Sequence, residues 1–302
     1  MRVKYDIDTQ LVFQIGDPVA HSVAAFMHNA SYEMAGVNAV CVLAHVPNGH
    51  LGEFVNAVKL INANGFDLTM PFKTQIIDYL DECDEASRMF KCVNHVKYRD
   101  GKLIGTGLDG VGMGSAIAHA TEVTGKTVMI LGAGAVAGPI AADLCQRGAA
   151  KVIIANRTVE KAEDIAEKLQ KLYTVTTETG PLTMEFLEKS MPETDILVQC
   201  TSIGLAGKTA AFESLDFMKL AKPTCLCADV QYPTSAFLDK AEALGLKNIN
   251  GMGMLLYQMI AMIEFRFGIT LPERSLSCIE DSMVAAVAMR TLRESRLRAK
   301  ND

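Results

Sequence analysis

The chain reads as an α/β protein of two domains, and three observations carry that reading. Helix-like and strand-like hydrophobic patterns alternate along it, with no long linker and no repeat of solenoid period. Its 302 residues exceed what a single core usually organises. One segment, "KTVMILGAGAVAGPIAADLCQRGAAKVIIANRT", has the pattern of a complete βαβ unit. Composition agrees: hydrophobic content is 49% and mean hydropathy +0.18, and no apolar run approaches the roughly 20 residues that span a bilayer. A net charge of −6 and a pI near 5.6 offer no broad attraction to nucleic acid or anionic membrane, so small molecules are the expected partners. The opening "MRVKYDIDTQLVFQIG" carries charges and no apolar signal segment; export is not expected and the cytoplasm is the default.

Taken in order, residues 1 to 112 hold strands and helices of their own, sufficient for a first domain. Within them "GFDLTMPFK" is a β-rich run closed by a proline. Pro71 fixes its own φ and pushes Met70 toward extended backbone, so the two are expected to end a strand and hold rigid the turn that presents Lys73. By residue type alone Lys73 is an ordinary surface lysine. In the βαβ unit, 128–131 form a buried strand, 137–147 a helix and 151–155 a second buried strand. The turn is Gly132, Ala133, Gly134, Ala135, Val136 and Ala137. Gly132 permits the tight turn, Gly134 lets backbone approach a pyrophosphate, and the small Ala137 and Gly138 are expected to let the helix pack on the strand with its N-terminus toward the phosphates. Where an NAD site offers a carboxylate to the ribose, this chain has Asn156, Arg157 and Thr158. An arginine and a hydroxyl suit a 2′-phosphate, and the cofactor is read as NADP. The competing reading makes Arg157 a solvated loop residue, with Glu160 or Lys161 setting the local field.

Further on, "TDILVQCTSIGL" reads as a buried strand over 196–200 ending in a small-residue turn, and "CLCADVQYP" repeats the plan. Ligands of open parallel sheets collect outside the carboxyl ends of the strands, which places Thr201, Ser202 and Gly204 near the cofactor, with Asp229 and Tyr232 behind. The run "NINGMGMLLYQMIAMIEFRFG" reads as a buried helix opened by glycines. Eight cysteines show no CxxC pairing, and Cys225 and Cys227 are expected to point to opposite faces of a strand, against a shared metal. The six histidines show no HExxH or comparable spacing, so no metal is expected and the thiols are read as free and buried in a reducing compartment.

In order, "GDPVAHS", "DLTMPFK", "CVNHV", "GTGLDGVG", "GAGAVAG", "NRT", "CTSIG", "DVQY" and "GMGMLLYQ" give a chain that resembles the shikimate/quinate dehydrogenase family over nearly its whole length. The resemblance implies a substrate-binding α/β domain (1–112), a Rossmann-type NADP domain (113–247) and C-terminal helices (248–302) that return to the first. It implies reversible oxidation of a ring hydroxyl, of the shikimate to 3-dehydroshikimate type, in aromatic amino acid biosynthesis. Lys73 and Asp109 become the catalytic pair: hydride arriving at a ketone creates alkoxide character that an ammonium stabilises and protonates, and Asp109 orients that ammonium. Asn94, Gln258 and Tyr232 match substrate-pocket residues, Ser22 and Thr69 match donors to the substrate carboxylate, and Gly253 of "GMGMLLYQ" joins the cofactor set. Taken alone, Asn94 reads as a turn residue and Gln258 as a helix-surface amide. A homodimer is left open.

The departures from the family pattern lie at the carboxylate end. Ala24 and Ala25 stand for its second serine and the following proline, and Asp67 stands for asparagine. Asp67 is expected in the pocket, where an ionised acceptor would repel a carboxylate. Gly107 and Leu108 replace the usual Asn-Thr before the aspartate, and "QYPTSAF" is shortened. These changes raise an alternative, a family relative acting on a different alicyclic hydroxy compound, amino-substituted or without the carboxylate; a non-catalytic NADP-binding regulator is a third reading.

Overall fold

The structure is a computed structural model that describes residues 5–20, 22–203 and 212–298. The chain divides into two compact units: 1–84, 93–108 and 259–302 form the first, and 85–92 with 109–258 form the second. These bounds differ from those expected. The breaks fall after residues 108 and 258 rather than 112 and 247, and a short helix inside the first expected domain belongs with the second unit.

In chain order the first unit contributes β1 (Gln10–Gly16), α1 (Ala24–Met34), β2 (Ala39–His45), α2 (Leu51–Leu60), β3 (Gly65–Leu68), α3 (Phe72–Gln75) and β4 (Glu82–Cys83). After α4 (Glu85–Phe90) come β5 (His95–Arg99) and β6 (Lys102–Thr106). Its sheet runs β2-β1-β3-β5-β6-β4, parallel except that β5 is antiparallel to β3 and to β6. The β5–β6 hairpin turns on Asp100 and Gly101, both at positive φ (52° and 79°), the backbone that an Asp-Gly pair suits. One sheet face packs Ile15, Phe66, Leu68, Val93 and Val96 against Leu51, Val55 and Val58 of α2. β3 ends at Leu68, earlier than expected, and Pro71 stands at the N-cap of α3, so Lys73 lies in that short helix.

The second unit follows with α5 (Asp109–Ala120), β7 (Thr127–Leu131), α6 (Ala137–Gln146), β8 (Lys151–Asn156), α7 (Val159–Leu172), β9 (Thr176–Pro181), α8 (Met184–Ser190), β10 (Ile196–Gln199), β11 (Leu226–Asp229), α9 (Ala236–Ala243) and β12 (Lys247–Ile249). All neighbours in its sheet, β12-β11-β10-β7-β8-β9, pair in parallel, which is the doubly wound dinucleotide-binding order. Strand periodicity sorts its core. Val128, Ile130, Val152, Ile154 and Val198 fill one face, while Met129, Leu131, Ile153, Ala155 and Leu197 fill the other. Cys225 and Cys227 both join the second face, contrary to expectation, because side chains two apart on a strand point the same way. None of the eight cysteines is in a disulfide. α10 (Gly251–Phe267) starts in the second unit and ends in the first, and α11 (Ser275–Arg298) packs on α1. Among the described residues no helix is long and apolar enough to cross a membrane.

Candidate active site

The cofactor cleft lies where strand order reverses, at the carboxyl ends of β7 and β10. It has a volume of ≈ 500 Å³ and is lined by Gly132, Ala133, Gly134, Ala135, Val136, Asn156, Arg157, Thr158, Thr201 and Ser202. Gly132 sits at φ +99°, which excludes a side chain on backbone grounds, and its N–H bonds Ala155 O at 2.7 Å. Asn156 braces the turn, accepting from Ala133 N–H at 3.1 Å and donating to Thr158 O at 2.8 Å. At Gly134 an added Cβ would meet only Cys200 O, at 3.8 Å, so this backbone faces open cleft. That cradle, with the start of α6 above it, fits a pyrophosphate. Past the end of β8 Arg157 and Thr158 are exposed and line the cleft, as does Lys161 in the first turn of α7. Sequence reasoning held Lys161 only as a competitor to Arg157; its place one helical turn beyond was the available signal. Leu182, Cys200, Ile203 and Val230, at or near strand ends, were missed as lining residues.

Two residues of the expected cofactor set remain, Gly204 and Gly253. Gly204 lies outside the described residues. Gly253 is not among the residues lining the cleft; it faces Ala116 of α5, whose Cβ stands 2.8 Å from where its own would be. Gly251 instead abuts Val230 at the end of β11, its N–H bonding Gln231 O at 2.8 Å. Gly138 admits the Phe90 ring of α4 rather than a strand. Asp229 is buried and structural, accepting from Ser235 Oγ at 2.6 Å and Gln231 N–H at 2.9 Å; burial still holds its pKa above the ordinary carboxylate value. Tyr232 is 42% exposed.

In the first unit the backbone draws three candidate residues into one knot at the carboxyl end of β3. Thr69 N–H bonds Ile15 O at 2.9 Å, Leu68 N–H bonds Asn94 O at 2.8 Å, and Val93 N–H bonds the Lys73 carbonyl at 3.0 Å. Asn94 is buried, and its Oδ1 accepts from Leu108 N–H at 2.7 Å, fixing the amide and the segment ahead of α5. Ser22 Oγ accepts from Ala24 N–H at 3.2 Å just before α1. In the second unit Asp109 is buried in the first turn of α5, and Gln258, 5% exposed, lies on α10 against Gly112 of that helix.

Asp67 does not take its expected place. It is 1% exposed, and both carboxylate oxygens are taken by Arg266, with Nη2 at 2.6 Å and Nη1 at 3.2 Å. His95 Nδ1 lies 2.5 Å away and His28 Nε2 3.4 Å. Burial alone would raise the Asp67 pKa, but the Arg266 guanidinium overrides it and holds the carboxyl well below its ordinary range. A neutralised carboxylate of this kind repels nothing. Its partner Arg266 was not singled out from the sequence, being 199 residues distant. His28, Cys41 and Asp67 bring ligand atoms within 4.8 Å of one another, yet the guanidinium already on Asp67 opposes a second cation there.

A doubly wound parallel sheet with a glycine-turn cleft at its switch point is the frame of a dinucleotide-dependent enzyme, and this protein is an NADP-dependent oxidoreductase acting on a CH–OH group. Residues 14–96 match the family model "Shikimate dehydrogenase substrate binding domain", and residues 115–235 match "Shikimate / quinate 5-dehydrogenase". The chain belongs to the shikimate dehydrogenase family. It is 34% identical over 264 residues to the shikimate dehydrogenase (NADP(+)) of Alkaliphilus metalliredigens, covering 85% of this chain and 91% of that one. Among solved structures it is similar to a shikimate 5-dehydrogenase of Listeria monocytogenes in complex with shikimate and NAD (TM-score 0.84, 27% identity, 93% of this chain and 98% of that one). It is similar as well to the ligand-free 5-ketofructose reductase of a Gluconobacter strain (TM-score 0.81, 33% identity, 91% and 99%).

Proposed function

We propose that the chain catalyses reversible, NADP-linked oxidation of shikimate to the 3-keto compound, with Lys73 and Asp109 as its catalytic pair. The observation that carries this is the knot at β3, which gathers Thr69, Lys73 and Asn94 at one strand end. When bound, NADP(H) supplies or accepts the hydride. The ammonium of Lys73 stabilises the developing alkoxide and delivers its proton, and the carboxylate of Asp109 orients that ammonium. Asn94 and Gln258 recognise the ring hydroxyls with Tyr232 near the same pocket, while Ser22 and Thr69 donate to the carboxylate. At the cofactor, Arg157, Thr158 and Lys161 hold the 2′-phosphate. A cytoplasmic location agrees with eight cysteines outside any disulfide, and a homodimer is part of the same proposal, to be read by sedimentation.

A second reading, a neutral hydroxy-ketone as substrate, has support in Ala24, which leaves Ser22 without the second hydroxyl, and in the similarity to the 5-ketofructose reductase. One measurement separates them: kcat/KM with NADP(H) for shikimate, quinate, aminoshikimate and 5-ketofructose. Efficient turnover of shikimate supports the first reading. A preference of about a hundredfold or more for 5-ketofructose overturns it.

A further inference from the structure

We infer that Asp67, Arg266 and His95 form a positioning unit that sets Thr69 and Asn94 for the ring substrate; this rests on the reading of those two residues as substrate-binding. β3 and β5 meet over only three residue pairs, Gly65 with Lys97, Phe66 with Val96, and Asp67 with His95. The last of these faces the site end of the ladder. Beyond it the chain leads within two residues to Thr69 on one strand, and the residue before His95 on the other is Asn94. Backbone bonds already hold this end, Thr69 N–H to Ile15 O at 2.9 Å and Leu68 N–H to Asn94 O at 2.8 Å, and here side chains reinforce it. His95 Nδ1 meets Asp67 Oδ1 at 2.5 Å across the pair.

Arg266 then locks that pair to two helices. From α10 its Nη2 reaches Asp67 Oδ1 at 2.6 Å and Val96 O at 3.3 Å. Its Nη1 reaches Asp67 Oδ2 at 3.2 Å and the Tyr32 hydroxyl of α1 at 3.1 Å. Asp67, His95, Tyr32 and Arg266 are all buried. A buried ion pair adds little net stability over apolar packing of equal volume, whereas fixing register is its best-attested use. An asparagine at position 67 would offer the fork one acceptor oxygen; the ionised aspartate offers it two.

The test is steady-state kinetics with shikimate and with 5-ketofructose, alongside melting curves and direct NADPH titration. Asp67→Asn is expected to raise the substrate KM about tenfold or more while kcat stays within a few-fold and NADPH affinity is unchanged. The double variant Asp67→Asn/Arg266→Met removes both charges and should recover the melting temperature lost in the single variant, with KM still raised. A recovered melting temperature together with a normal KM would show a role in folding alone and overturn the inference. His95→Gln leaves the ion pair in place and carries the same KM comparison where the charge variants do not accumulate as folded protein. Thr69→Val and Asn94→Ala serve as controls. If they raise KM and the network variants do not, the inference alone fails; if they too leave KM unchanged, the substrate reading fails and the inference with it.

Discussion

Lys73 and Asp109 are expected to act on the chemical step, and their variants should show it in kcat. Positioned proton transfer contributes roughly 10²- to 10⁴-fold, so Lys73→Ala should lower kcat by about that factor with a smaller change in KM, and Asp109→Asn should impair the same step. Stopped-flow hydride transfer checks this; a near-normal rate in Lys73→Ala removes the mechanism. At the cofactor, Arg157→Ala should weaken NADPH about tenfold or more and NADH little, because only NADPH carries the 2′-phosphate. Equal losses for both would remove the basis of the NADP corner. The two departures near the carboxylate end separate once Arg266 is known. Ala24→Ser adds a hydroxyl where Ser22 already binds backbone, and should lower KM for shikimate if the carboxylate binds there. Asp67→Asn does not belong in that experiment, since it would leave a buried guanidinium half paired.

At the level of elements, the second unit packs its helices through glycines. A Cβ on Gly110 would overlap the Pro139 carbonyl of α6, one on Gly114 the Asp143 carboxylate, and one on Gly112 the Met254 carbonyl of α10. Three glycines at alternate positions of α5 thus set how closely it approaches its neighbours. Gly110→Ala gains little helix propensity at the second position of α5, and it collides with backbone that no rotamer change can move. Overpacking of this kind costs about 1–3 kcal/mol, and each kcal/mol lowers the melting temperature by roughly 2–4 °C in a chain of this size class. Calorimetry on Gly110→Ala should therefore show a net drop; an unchanged or raised melting temperature would mean the helices separate freely. Gly138 behaves alike against the Phe90 ring, so a glycine read for packing α6 on its strand makes room for α4.

For the molecule as a whole, acid sensitivity should come from the first unit's buried network. Burial lowers the His28 pKa from 6.5 to about 4, with His95 and Arg266 adding to it and Asp67 opposing. Between those values the unfolded chain binds the extra proton, so stability is present above pH 6.5 and is lost as pH falls toward 4, by about 3 kcal/mol. Asp67 adds a loss of the same sign once pH falls through the ordinary carboxylate range, while the raised pKa of Asp143 and Asp229 in the second unit acts in the opposite sense. Urea midpoints at pH 7.5, 6 and 5 should decline for the native chain and decline less for His28→Phe. Equal slopes would remove His28 as the cause.

The cofactor half of this protein was written locally. Strand, glycine turn, helix and second strand follow one another within a few dozen residues, so Gly132, Gly134, Asn156 and Arg157 could be read into one cleft from their order alone, and the succession of short motifs carried the family. Lys161 was within reach of the same reasoning, one turn past Arg157. What the sequence could not determine is which side of a strand's environment a charge meets. Asp67 looks like a pocket residue in "DLTMPFK", but its surroundings are made by an arginine 199 residues on, and that contact turns a repelling carboxylate into a neutralised one. Gly138 and Gly253 differ from expectation for the same reason: the atoms that need their missing side chains belong to other helices, Phe90 and Ala116. Periodicity and turn chemistry act between chain neighbours and are legible in order; desolvation, charge pairing and close helix approach depend on groups that only the tertiary fold brings together.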